Sequence, residues 1–257
     1  MKRYSKIMAP IIAGLLFASA AQAQVNQEVS DKAFKILESS DDTLALHGDF
    51  SATISVVVEK PNKPKESMQY KAFQRTDQDL LTMIQIFPEA DKGTGYLMNG
   101  DNIWVYDAIG RKFTHTTLKE ALGDSDVNLS DIDQSDSHWR DNYEVTALSE
   151  GTLGKYEVYI ISLHATSIEP SYANVTYYVR KDIPLVLKEE DYSNSMRLMR
   201  TVLKPKYTKV PAGYIPTQSI IKDEINKGEN SQTVLSEISF DKLPDNIFNK
   251  AYIEGLN

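Results

Sequence analysis

Apolar and polar residues alternate along most of the chain. From Gly48 onward, Phe50, Ala52, Ile54, Val56 and Val58 are interleaved with Ser51, Thr53, Ser55, Val57 and Glu59. That period of two marks a half-buried strand. Pro61-Asn62-Lys63-Pro64 breaks the pattern; another strand reads over 66–75 and, after the turn Asp77-Gln78-Asp79, a further one over 80–87. Strands at 95–98 and 103–106 flank Asn99-Gly100-Asp101-Asn102, whose Asn-Gly supplies the positive φ of a tight hairpin. Further strands read at 111–116, 143–148, 155–163, 174–180, 185–192, 196–207, 214–225 and 233–240. Strands recurring without long interleaved helices predict an antiparallel all-β sandwich or barrel.

Three stretches depart from this ladder. Residues 30–38 predict a short amphipathic helix with Ser30 as its N-cap and Ala33, Phe34 and Leu37 on one face. The polar segment 118–139 holds helix-compatible pieces at 118–122 and 129–133. Near the C-terminus, 243–248 predicts a capped helical turn anchored by Ile247 and Phe248. No linker or internal repeat divides the chain, so residues 24–257 are expected to form one β domain.

The first residues follow different rules. Lys2, Arg3 and Lys6 precede an apolar run from Ile7 to Ala20, and Ala21-Gln22-Ala23 supplies a small-x-small cleavage pattern. This is the layout of a signal peptide over residues 1–23, cleaved after Ala23. The run is too short for a transmembrane anchor. Removing it takes three of 28 basic residues and none of 36 acidic ones, so the net charge moves from −8 to −11. The mature protein is expected to be soluble in the periplasm of a diderm bacterium.

Composition excludes several classes. The acidic balance provides no footprint for nucleic acid. The absence of cysteine rules out disulfides, a zinc–thiolate site and a lipidated N-terminal cysteine. Asp124-x-Asp126-x-Asn128 starts like a calcium loop, but Leu129 stands where glycine is needed and Ser135 where a glutamate belongs. The loop 124–133 therefore reads as solvated, and no metal or cofactor is expected. His47, His115, His138 and His164 are scattered, and neither a Gly-x-Ser-x-Gly elbow nor His-Glu-x-x-His occurs. No catalytic residue is expected, so the chain reads as a non-enzyme.

Apolar surface is the remaining signal. Residues 80–87, 103–106 and 158–161 are apolar in both phases, and such strands are covered on both faces. Either a helix packs across the sheet, or a curved face holds a hydrophobic ligand beneath a lid. Composition does not choose between the two.

Three blocks carry a family resemblance. They are Phe87-Pro88-Glu89-Ala90-Asp91-Lys92-Gly93-Thr94-Gly95-Tyr96-Leu97 with Asn99 to Asp107, the segment 123–132, and Leu243-Pro244-Asp245-Asn246-Ile247-Phe248 running on to Ile253. In this order they resemble the outer-membrane lipoprotein-sorting family, grouped with the LolA and LolB carriers and the RseB-type sensors. The 123–132 block departs from the family pattern by an inserted residue and a missing phenylalanine. The resemblance implies an unclosed antiparallel β-barrel of about eleven strands, with short helices as a lid over an apolar cavity. It also implies a monomeric carrier of lipoprotein acyl chains or another lipid, working between an inner-membrane transporter and an outer-membrane acceptor. An RseB-like sensor, or an accessory subunit of a lipid or efflux exporter, is the alternative. In the carriers an arginine on an early strand holds the lid closed, and Arg75 lies at the comparable place. The expected lining is Phe50, Ile54, Val56, Val58, Met83, Phe87, Trp104 and Tyr106; for the last four, sequence does not fix the inward phase.

Overall fold

The computed structural model describes residues 26–44, 47–133 and 139–256. The expected signal peptide lies outside the described residues, as do His138 and Ser135. The chain runs through α1 (Gln27–Thr43), β1 (Asp49–Glu59), β2 (Glu66–Arg75), β3 (Leu80–Phe87), β4 (Gly95–Asn99), β5 (Asn102–Asp107) and β6 (Lys112–Thr116). Two single-turn helices follow, α2 (Leu129–Ile132) and α3 (Trp139–Asn142). Next come β7 (Tyr143–Leu153), β8 (Tyr156–Ala165), β9 (Asn174–Arg180), β10 (Val186–Tyr192), β11 (Leu198–Val210), β12 (Gly213–Asp223) and β13 (Asn230–Ser239). A 3-10 turn at Asp245–Phe248 and α4 (Lys250–Glu254) end the described chain.

All the strands join one antiparallel sheet in the order β6-β5-β4-β3-β2-β1-β13-β12-β11-β10-β9-β8-β7. The sheet has thirteen strands, as many as the sequence predicts and more than the family resemblance implies. The first and last strands pair at its middle, Val56 opposite Thr233. Its edges, β6 and β7, are consecutive in sequence yet unpaired with each other, so the barrel is not closed. This topology forces the connection between β6 and β7 to travel from one edge of the sheet to the other, and it does so across one face.

That face, called inner below, is traced by the register. Val58 faces Ser231, which faces Ile221, then Val202, Glu189, Tyr177 and Ile161 in turn. Directly opposed residues share a face, so these side chains form one row across seven strands. Two covers lie on it. Helix α1 buries Ala33, Phe34 and Leu37 against Val145, Ile161, Leu163, Val175, Tyr177 and Val179. It is longer than the sequence predicts: Asn26, not Ser30, caps it, accepting from the Glu28 N–H at 2.9 Å. The other cover is the crossover segment, residues 118–132.

The outer face of β2 to β5 has its own cover. The C-terminal strap, residues 243–256, seats Leu243, Ile247 and Phe248 beside Phe73 and Leu80, and Ile253 between Leu97 and Tyr106. Gly95 makes room for it, since a Cβ there would stand 2.7 Å from Ile253 Cγ2. Ile247 and Phe248 are buried anchors, the role their sequence context predicts.

Candidate functional site

The crossover segment fills the inner face of the first strands. Leu122, Val127, Leu129 and Ile132 pack with Ile54, Val56, Val58, Met68, Tyr70, Met83, Tyr96, Met98 and Ile103 in a single apolar cluster that reaches Val202 and Ile221. Locally the segment is a small hairpin, with the Leu122 N–H donating to Val127 O and the Leu129 N–H to Glu120 O, both at 2.8 Å. Gly123 adopts φ +57° at its tip, where a Cβ would meet Met68 Sδ at 2.6 Å. Glycine is the residue that tolerates both constraints.

Polar contacts tie this lid down. Arg200 on β11, 5% exposed, donates from Nη1 and Nη2 to the two carboxylate oxygens of Asp131 at 2.8 and 2.9 Å. Its Nε donates to Asp191 at 2.5 Å, and Glu189 stands 3.8 Å from Nη2. Tyr172 lies under the guanidinium, 4.9 Å from ring centre to Cζ. Asp131 also accepts from the Asn128 N–H at 2.8 Å, so one carboxylate caps α2 and docks it. Nearby, the Ser231 hydroxyl accepts from the Asp126 N–H at 3.0 Å and donates to the Asp126 carboxylate at 3.2 Å. Gln74 donates to Asp133 at 2.9 Å. The acidic loop is thus an anchor, not the solvated loop its composition predicts. Of its acids, Asp124 does face outward and pairs with Lys60 at 2.6 Å.

The charges around Arg200 are unbalanced. One guanidinium meets Asp131, Asp191 and Glu189. Burial alone would lower the proton affinity of Arg200, but the fields of Asp131 and Asp191 outweigh it and hold the group firmly charged. Burial, reinforced by the charge of Glu189, pushes the Asp191 carboxyl well above the usual range, against the pull of Arg200. Asp191 Oδ1 is buried without a hydrogen-bond partner. Burial likewise raises Asp126.

The structure separates the expected lining residues. Ile54, Val56, Val58 and Met83 lie together beneath the lid. Phe50 shares their phase on β1 but packs lower, against Ile215. Trp104 and Tyr106 point to the outer face, where Leu97 opposes Trp104 and the strap residue Ile253 covers them. They are corrected from the expected lining, because a strand apolar on both sides has two covers here. Phe87 is 46% exposed at the end of β3, beyond a register shift, and lines no buried surface. Arg75 is also an anchor, but on the outer face. It donates to Asp49 at 2.6 and 3.2 Å, to Asp245 at 2.7 Å and to Leu243 O at 2.7 Å. It therefore holds the C-terminal strap, and the lid arginine is Arg200, which sequence reasoning missed. Its one trace in the sequence is its phase with Leu198 and Val202, which does not separate a buried charge from a solvated one.

Other chemistry is dispersed. Among the described residues no group of three or more His, Asp or Glu is placed to hold a metal ion. His115 stacks edgewise on Trp104, while His164 shares a hydrogen bond with Asn174 at 2.9 Å.

The unclosed antiparallel sheet is a LolA-like fold, and solved structures share it over nearly their whole length. A LolA superfamily protein from Nitrosomonas europaea superposes with a TM-score of 0.74 at 23% identity, covering 86% of this chain and 98% of that one. A DUF1329 family protein from Desulfovibrio piger gives 0.75 at 18% identity, covering 88% and 98%. A putative outer membrane lipoprotein-sorting protein domain from Vibrio parahaemolyticus gives 0.75 at 17%, covering 88% and 99%. A family model described as "uncharacterized protein" matches residues 77–255, and the chain belongs to that family. No curated protein sequence matches it.

Proposed function

We propose that this protein is a periplasmic carrier that binds the acyl chains of lipoproteins or of another lipid on the inner face of its half-barrel. Loading requires the 118–132 segment to leave that face. One observation carries the reading: the apolar floor formed by Ile54, Val56, Val58 and Met83 is closed by a connecting segment, not by a strand or a long helix. Burying each of the lid's Leu122, Val127, Leu129 and Ile132 is worth about 1.5–3 kcal/mol. One long acyl chain, at about 0.8 kcal/mol per methylene, represents on the order of 10 kcal/mol. Lid and acyl chain therefore compete for the floor on similar terms, and the Arg200–Asp131 latch tips the balance.

Carriage of this kind needs an apolar surface, a movable cover and different affinities for donor and acceptor; it needs no catalysis. The leader-like residues 1–23 support export. Among the described residues no helix is long and apolar enough to cross a membrane.

Native mass spectrometry on protein released gently from the periplasm, followed by organic extraction, tests the reading. A discrete lipid or acylated polypeptide at near-stoichiometric occupancy is the expected result. Protein that is empty and also refuses added lipids overturns it, and a stable complex with a membrane-bound regulator would then favour the sensor alternative.

A further inference from the structure

A second concave surface lies outside the lid. It is a groove of about 950 Å³ between the first half of α1 and the β8–β10 side of the sheet. Four cations line it, Lys32, Lys35, Arg180 and Lys181, together with Ile36 and Tyr159. This is a local reversal of charge in a chain of net −8. Two of the cations are already engaged. Arg180 is held by Asp182 and Lys181 by Glu150, each at 2.5 Å. Lys32 and Lys35 have no carboxylate in ion-pair distance among the described residues; Lys32 sits 5.5 Å from the centre of the Tyr159 ring. Spaced three apart, they project from one face of the helix. The two acids in the lining are Glu28 and Asp31, and Asp31 is drawn away to Arg140 at 3.1 Å.

The groove also has an apolar wall. Ile36 and Tyr159 line it and also pack against the cluster that α1 buries on the inner face, around Val145, Ile161 and Tyr177. A ligand with its charge between Lys32 and Lys35 therefore meets an apolar wall, Ile36 and Tyr159, within the same groove. We infer that this groove receives the phosphate of an anionic lipid, with the methylenes next to the headgroup lying along Ile36 and Tyr159. The inference rests on the lipid-carrier reading and specifies its ligand class. Paired lysines suit a phosphodiester, because ammonium groups act as point charges on a phosphate without demanding a planar bidentate partner. A soluble phosphate compound would use the cations and leave the Ile36 and Tyr159 wall unused.

Calorimetric titration of the full-length mature protein tests this with three probes. They are a short-chain phosphatidylglycerol below its micellar concentration, the diacylglycerol with the same chains, and glycerol 3-phosphate. The expected order is phosphatidylglycerol first, diacylglycerol about tenfold weaker, and glycerol 3-phosphate without measurable binding. The Lys32→Gln/Lys35→Gln double variant is expected to lose about tenfold for phosphatidylglycerol, with diacylglycerol binding and the melting temperature unchanged. Both lysines are exposed, so the variant retains its fold. Equal binding of the two lipids, or an unaffected double variant, overturns the phosphate site while leaving the carrier reading intact. Glycerol 3-phosphate binding as tightly as the lipid shows a soluble-anion site and overturns the lipid assignment. Failure of every lipid to bind overturns the carrier reading itself.

Discussion

The lid and the C-terminal strap are built alike and anchored differently. Each is a short, mostly irregular segment that lays apolar side chains on one face of the same sheet, Leu122, Val127, Leu129 and Ile132 on the inner face, Leu243, Ile247, Phe248 and Ile253 on the outer. Each is tied by a buried arginine, and each approaches another element closely at a glycine. Arg75 has a two-point partner on the sheet itself, Asp49 of β1, and adds Leu243 O and an exposed Asp245 from the strap. Arg200 spends its two-point contact on the lid residue Asp131, while Asp191 and Glu189 compete for it from the sheet. The strap is fastened to a satisfied anchor and the lid to a contested one. On the proposed reading, the strap is the permanent seal and the lid the removable cover.

The largest expected effect falls on the strap. Phe248→Ala removes a buried ring that also stacks on Arg75, and is expected to cost about 3–5 kcal/mol in global unfolding by urea. The corresponding cut at the lid is Asp131→Asn, which weakens two charged hydrogen bonds and is expected to cost about 1.5–3 kcal/mol. The distinction between the segments lies in where that loss shows. Hydrogen exchange should accelerate in residues 118–132 of the Asp131 variant and stay unchanged in 243–256; equal acceleration in both would break the comparison.

Opposite pH responses sharpen it. The Arg75 guanidinium holds the Asp49 carboxyl below its usual range. Its contribution is therefore present above the unfolded-state value and lost as pH falls through the lower folded one. Asp191 is raised by burial, so its contribution is full below the usual carboxylate range and is lost as pH rises through the raised value. Acid should loosen the strap, whereas rising pH should loosen the lid as Asp191 ionises and competes for Arg200. Asp191→Asn is expected to flatten the lid's loss of protection with rising pH and leave the strap's response to acid untouched. The smallest effect is at Gly123. Alanine there, at φ +57° and against Met68, is expected to cost about 1 kcal/mol in lid protection.

Much of the scaffold was legible. All thirteen strands were legible from alternation or from apolar runs set between turns, and the spacing of Ala33, Phe34 and Leu37 gives the buried face of α1, because these signals are local. Covers held by apolar burial were legible for the same reason, as Ile247 and Phe248 show. The latch was not. Arg200 and Asp131 are separated by 69 positions, and nothing in either neighbourhood distinguishes a buried ion pair from a solvated charge. The face of β5 was equally hidden, since Ile103, Trp104, Val105 and Tyr106 are apolar in both phases. Only the topology, which sends the β6–β7 connection across the inner face and leaves the strap to the outer one, decides that Ile103 lies under the lid and Trp104 under the strap.

The most direct test of a removable lid over a lipid-binding floor is hydrogen exchange with and without a saturating acyl ligand. The account predicts that amides of residues 118–132 lose protection when the ligand binds, while those of the strap at 243–256 keep theirs. Ligand binding that leaves 118–132 as protected as before would contradict it, because the floor beneath Leu122, Val127, Leu129 and Ile132 would then not be where the acyl chain goes.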